Sequence, residues 1–190
     1  MILIIDTSSP SSSVIATIDD DRMAETFSTG RGLDLEQLRH LARTEQITKV
    51  AVASGPGSFT GLRVGVSFGL GLAMGLRVPI VPLPTLDLQA ARSEEPVTAV
   101  ADAGRGRFYF LVPGGTVALG EPSGIPTAYP LVGRVANKGA PLVGAGHRFK
   151  PETELRRFVE AAAKILETAR EVPYGSLEIE YMQSFSASRK

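Results

Sequence analysis

The stretch SGPGSFTGLRVGVSFGLGLAMGL, Ser54 to Leu76, joins the apolar run KVAVAS, Lys49 to Ser54, to a long glycine-laden apolar segment through a turn of Gly, Pro and Ser. The run has the length and β-branched content of a buried strand, and from Leu62 onward the apolar residues continue too far for a second strand. Strand, tight loop and helix are the prediction. Gly55 and Gly57 permit backbone angles that a side chain would forbid, while Ser58 and Thr60 can each offer an oxygen to the free amides at the helix start. Such a loop is either a structural strand-to-helix turn or a cradle for a phosphate or carboxylate.

Two phosphate motifs are excluded by spacing. A Walker-type loop ends in Gly-Lys-Ser/Thr, whereas Gly61 is followed by Leu62 and Arg63. A dinucleotide fingerprint needs glycines at its first, third and sixth positions, but Gly55, Gly57 and Gly61 fall at the first, third and seventh, with no acid before Asp87 to hold a ribose. The helix carries small-residue stripes, Gly61, Gly65 and Gly69 on one line and Gly71 and Gly75 on another. Each interior glycine costs about 1 kcal/mol relative to alanine, so close approach of another backbone is expected, either within the domain or from a partner helix. The uncharged run Val64–Leu76 lies between Arg63 and Arg77 and is shorter than the ~18 apolar residues of a spanning helix, so no membrane is expected.

Outward from this stretch, Met1–Ile5 reads as a central strand with Asp6 at its end, and Val14–Ile18 and Met23–Thr29 as a meander. Asp34 caps a helix reaching Thr44, with Leu38 on its apolar side. After Ile47–Ala53 and the glycine helix come the strand VPIVPL and a helix Leu86–Arg92. This is the order of the ribonuclease-H-like unit of actin-like proteins, an α/β fold with a mixed sheet. Charge and proline at Ser93–Pro96 suggest a boundary, giving an N-terminal domain, residues 1–95, and an abridged second actin-like domain, residues 96–190. The second unit opens with the strands Val97–Ala101 and Phe108–Val112 and closes with a helix Glu152–Thr168 whose stripe is Leu155, Phe158, Val159, Ala162, Ile165 and Leu166.

In 190 residues, 43% hydrophobic, a core of one domain or two small ones is available. Twenty basic and twenty acidic residues cancel, so the chain lacks the broad positive field that grips nucleic acid. Zero cysteines exclude disulfides and thiol catalysis. MILIIDTSS lacks the basic start and apolar length of a signal peptide, which points to the cytoplasm.

No catalytic or metal-ligating set emerges. Two histidines, His40 and His147, have no HxxxH or HExxH spacing, which argues against a metallopeptidase. GVSFG around Ser67 matches the letters of a hydrolase elbow but falls inside the helix, and His147 reads as a loop residue. Asp6, Thr7 and Ser8 form either a hydrogen-bonded turn or an acid-and-hydroxyl nucleotide site, to which Gly55, Gly57 and Ser58 would add amides. Asp102 holds the matching place in the second half, as a cap on the DAGRGR turn or a second carboxylate, and Arg105 and Arg107 offer an anion grip or a solvated surface.

IIDTSSPSSSVI, then SGPGSFTGLRVGVSFGLGLAMGLRVPIVPLPTL, then ADAGRGRFYF resemble, in order, the signatures of the TsaB (YeaZ) family. The likeness spans Ile2 to about Phe110 and thins to IEYMQ, Ile179 to Gln183, as a remnant of a Pro-x-Tyr-Leu-Arg element. The chain departs where the family has Arg-x-His-Ser and this sequence has Arg31, Gly32, Leu33, Asp34. The resemblance implies a noncatalytic partner subunit in tRNA threonylcarbamoyladenosine synthesis. It would bind a TsaD-like actin-fold paralogue and a TsaE-like ATPase, pair with itself when alone, and meet tRNA only through the complex. No cofactor is implied for the chain by itself, with ATP and magnesium reserved for the complex. The glycine helix and its neighbour would supply the interface, through Gly65, Phe68, Gly69, Leu72 and Leu38. A nucleotide-binding ATPase-like protein and a glycoprotease-like peptidase are the alternatives.

Overall fold

A computed structural model describes residues 1–30, 32–135 and 139–180. The meander comes first: β1 (Ile2–Asp6), β2 (Ser12–Asp19) and β3 (Arg22–Thr29). β1 and β2 pair antiparallel from Ile2↔Ile18 to Asp6↔Val14, and β2 and β3 from Ser12↔Thr29 to Asp19↔Arg22. Helix α1 (Leu35–Thr44) follows, started by Asp34, whose carboxylate accepts the Gln37 N–H at 2.9 Å. β4 (Lys49–Gly55) then lies parallel to β1, helix α2 (Phe59–Leu76) crosses over, and β5 (Ile80–Pro84) lies parallel to β4. The five strands stand in the order β3-β2-β1-β4-β5.

Helix α3 (Thr85–Ala90) leads to a second sheet made of β6 (Thr98–Gly104), β7 (Arg107–Leu111), β8 (Ala118–Gly120) and β9 (Leu131–Val132). Its order, β8-β7-β6-β9, with β9 parallel to β6 and the others antiparallel, repeats the first four positions of the larger sheet. The copy is shortened throughout. A 3-10 turn, Pro122–Gly124, stands where α1 stands in the first half, and the six-residue helix α4 (Gly139–Gly144) where α2 stands. The second sheet begins at Thr98, but the chain afterwards returns to the first sheet. Helix α5 (Phe158–Leu166) buries Phe158, Val159, Ala161 and Ala162 against Ile4, Val14, Ala51 and Val81.

The last helix begins later than Glu152. Only a 3-10 turn, Glu152–Glu154, forms there, because the Arg156 N–H donates to the Arg92 carbonyl at 2.7 Å and holds the chain extended up to Arg157. Arg157 N–H then donates to Glu160 Oε2 at 3.2 Å and the helix starts. Leu155 is thereby left outside the helix whose stripe it was expected to join. The same junction is laced by ion pairs from Arg92 to Glu152, from Arg156 to Glu94 at 2.5 Å and from Lys150 to Glu95 at 2.5 Å.

By length and composition α2 could cross a membrane. Its inner residues Leu62, Gly65, Val66, Gly69 and Ala73 are instead buried on the sheet.

Candidate functional site

The end of β1 and the start of α2 face one another across a few ångströms. Ser58 N–H donates to Ser8 O at 2.8 Å, Thr7 Oγ1 donates to Gly61 O at 2.6 Å, and Ser58 Oγ accepts the Gly61 N–H at 3.3 Å. The structure therefore brings Asp6, Thr7, Ser8, Gly57 and Ser58 to one junction, while Gly55 faces Glu180 and Leu62. Their polar groups, however, are largely engaged with one another. A Cβ on Gly57 would meet Ser8 O at 2.7 Å, and one on Gly55, where φ is +116°, would meet Glu180 O at 2.9 Å. Both glycines admit the protein's own backbone, which is what the structural-turn reading of this loop requires.

Asp6 is fully buried and both of its oxygens are occupied. Oδ1 accepts the Ser8 N–H at 2.7 Å, and Oδ2 accepts from Arg134 Nη2 at 2.6 Å. Arg134 comes from the end of β9, 128 positions away, and its guanidinium also lies 5.9 Å from the Phe27 ring centroid and 5.6 Å from that of Phe158. A magnesium ion needs free carboxylate oxygens and water. With an arginine already seated on Asp6, these residues do not fit one, and among the described residues no cluster of three His, Cys, Asp or Glu could hold a metal.

Beside this junction is a cavity of about 330 Å³ at the N-terminus of α2, lined by Thr7, Ser9, Ser58, Thr60, Gly61 and Val64. Hydroxyls and helix amides suit a small polar or anionic group. Among the described residues no charged side chain lines it, and none takes the place of the lysine that reaches phosphates in other nucleotide loops.

The second half repeats the turn chemistry. Asp102 Oδ1 accepts the Gly104 N–H at 2.8 Å, the same two-residue step that Asp6 makes to Ser8. Asp102 acts as a turn cap. Arg105, with φ of +54°, sits exposed at the tip of that hairpin. Ser67 is exposed in mid-helix, without a strand-to-helix elbow. His147 lies in the loop after α4 and is buried there, its Nε2–H donating to Pro122 O at 2.9 Å.

The residues expected to form an interface divide. Leu38 is 1% exposed and belongs to the core with Leu3, Ile5, Val50 and Val52. Gly65 and Gly69 are buried, their missing Cβ positions filled by the Thr7 hydroxyl and by Val52 Cγ1. Those three serve internal packing and present nothing to a partner. Phe68 and Leu72 are half-buried on the same core. The exposed apolar surface includes Val64 and Met74 further round the helix, Phe59 at its start and Leu76 at its end, with Leu35 exposed on α1. Gly71 and Gly75 lie on that side with nothing within 4 Å of an added Cβ. Sequence reasoning missed Arg134, whose only sequence signal is a basic residue just past a short strand.

A mixed five-stranded sheet echoed by a shortened copy of itself, with an acid at the end of each first strand, defines an actin-like α/β protein. The family model for TsaD, tRNA N6-adenosine threonylcarbamoyltransferase, matches residues 38–176. The tRNA threonylcarbamoyladenosine biosynthesis protein TsaB of Bacillus subtilis (strain 168) is 37% identical over 68 residues, and that of Haemophilus influenzae 39% over 70. These alignments span 34% of this chain and 30% of each relative's length. The structure of YeaZ from Pseudomonas aeruginosa superposes with a TM-score of 0.70 at 19% identity, over 95% of this chain and 99% of that one. A second structure, of an uncharacterized protein with similarity to peptidase YeaZ from Pseudomonas aeruginosa, gives 0.73 at 21% identity over 96% and 99%. The chain belongs to the family that the TsaD model describes, and it is similar over part of its length to TsaB proteins and in fold to YeaZ.

Proposed function

We propose that this chain is a noncatalytic subunit of a cytoplasmic assembly that forms threonylcarbamoyladenosine on tRNA, and that it acts by docking the outer face of α2, with α1, onto a TsaD-like actin-fold paralogue. The observation that carries the reading is the outer face itself, where Val64 and Met74 are 40% and 53% exposed beside open glycines on a helix whose other side is buried. An exposed apolar stripe on a monomer marks an interaction site, and small residues allow a partner helix to come close. The same face would join two copies when the paralogue is absent, so the two pairings compete. A TsaE-like ATPase completes the assembly, ATP and magnesium act there, and tRNA is held by the partners because this chain has no net charge to hold it. The occupied oxygens of Asp6 support a subunit that supplies surface rather than chemistry.

The test uses Val64→Asp and Met74→Asp, because Phe68 and Leu72 are part of the fold's own packing. A charge left unpaired in an interface core costs about 3 kcal/mol, a loss of more than about 100-fold in affinity. Both variants should keep the wild-type melting temperature, run as monomers in light scattering, and fail to support modified-nucleoside formation in a reconstituted reaction. Folded variants that still pair and still support modification would overturn the reading.

A second reading, a small anion bound at the hydroxyl-lined cavity, is favoured by that cavity's position at the start of an 18-residue helix.

A further inference from the structure

Helix α2 is stopped by an arginine where a glycine would serve the backbone better. Arg77 has φ of +57° and ψ of +43°, the left-handed conformation that ends many helices and that glycine adopts without cost. Its N–H closes the last turn onto Ala73 O and Met74 O, a task that needs no side chain. The helix dipole favours a cation at this end, but a basic residue within the last turn would gain that without strain, and the last turn of α2 carries none. Arg92, Arg134, Arg156 and Arg157 are each paired with an acid, Glu152, Asp6, Glu94 and Glu25 in turn. The Arg77 guanidinium is exposed and, among the described residues, has no ion pair or hydrogen bond.

Beside it an open groove of about 560 Å³ runs between the end of α2 and the segment after α5, walled by Val78, Pro79, Val172, Pro173 and Tyr174. The walls are fixed in place. The Tyr174 hydroxyl donates to Val78 O at 2.8 Å and lies 3.3 Å from Ala73 O, and Val172 N–H donates to Ile80 O at 3.0 Å. Glu171, the other charged residue of the lining, is engaged by Lys49 Nζ at 2.9 Å. The groove therefore joins apolar walls to one uncommitted cation. It continues the outer face of α2, because Met74 and Leu76 are 53% and 38% exposed in the turn that leads into Arg77.

We propose that this groove receives a segment of a partner protein in which a carboxylate lies beside an apolar side chain. The carboxylate meets Arg77, and the apolar group rests on Pro79, Val172 and Pro173. Charge complementarity selects an acid, and the apolar walls select a protein segment over a nucleic-acid backbone, which would call for several cations. The inference rests on the reading that this chain docks a partner protein through α2, and it extends that surface past the end of the helix. It also explains the residue, since a position where glycine would be more stable carries the group that the partner requires.

Arg77→Gly separates stability from binding. The variant should melt about 2 °C higher than the wild type, because glycine takes the left-handed conformation freely, and should bind the TsaD-like paralogue about tenfold more weakly in titration calorimetry. Arg77→Lys should recover part of that affinity, and added salt should weaken the wild type more than Arg77→Gly. An Arg77→Gly chain that binds as tightly as the wild type, or that melts lower, overturns the proposal. So does a loss confined to self-association, or tRNA held by the isolated wild type and released by Arg77→Gly, since each names another occupant. Val64→Asp keeps the two readings apart. If it abolishes paralogue binding while Arg77→Gly does not, the outer face stands and the groove falls; the reverse pattern leaves the groove standing alone, and a wild type that does not bind the paralogue removes both.

Discussion

The inner and outer faces of α2 carry the same small residues for different reasons. On the inner face, side chains at Gly61, Gly65 and Gly69 would run into Thr7 O, the Thr7 hydroxyl and Val52, so glycine there lets the helix lie directly on β1 and β4. On the outer face Gly71 and Gly75 meet nothing within 4 Å, and each costs about 1 kcal/mol relative to alanine with no contact inside the molecule to offset it. A four-residue period of glycine in a sequence is thus ambiguous. Packing assigns one stripe to the fold and leaves the other unexplained by it.

The comparison breaks most visibly from the inside. Gly65→Val forces a branched side chain into the Thr7 hydroxyl, and because Thr7 is tied to Gly61 O at 2.6 Å neither partner can give way. Overpacking of this kind costs about 1–3 kcal/mol or more, and adding loss of the Thr7 bond should leave the chain largely unfolded. Circular dichroism melts check this, and a Gly65→Val chain with the wild-type melting temperature would mean the inner stripe is looser than described.

A smaller effect is expected at the neighbouring acid, Asp6, which holds the Ser8 N–H and Arg134. Asp6→Asn leaves Arg134 with a buried charge and no carboxylate, which costs about 3 kcal/mol, while Asp6→Asn combined with Arg134→Met should recover part of that loss. Urea denaturation of the two single variants and the double variant measures the coupling. Additive losses would show that the pair does not act as a unit.

Much of this was legible in the chain. The run before Gly55, the Ser58 cap and the helix after it follow from local chemistry, as does Asp34 at the start of α1, because caps and periodicity act within a few residues. The shortened second half was also legible, since its Gly and Pro density leaves room for only brief strands. What failed depends on contacts distant in sequence. The late start of α5 is set by Arg92 O, 64 positions before Arg156, and the closing of the Asp6 site is set by Arg134, 128 positions away. The placement of Gly65, Gly69 and Leu38 as interface residues failed for a related reason. Helical spacing gives the stripes but not which one faces the sheet. The docking of Val172, Tyr174, Leu177 and Ile179 on the first sheet has no regular period to announce it, and the Tyr-Met-Gln part of IEYMQ lies outside the described residues.

The outer stripe gives the most direct test of the account. Gly71→Ala should stabilise the isolated monomer by about 1 kcal/mol, since the added methyl meets open space and the backbone loses an entropic penalty. Gly71→Leu should fold equally well yet hold a partner helix away from the surface. Sedimentation velocity of the wild type and Gly71→Leu, each alone and with the TsaD-like paralogue, is the decisive measurement. The account predicts unchanged melting with loss of both self-association and paralogue binding, and a Gly71→Leu chain that pairs as tightly as the wild type would contradict it.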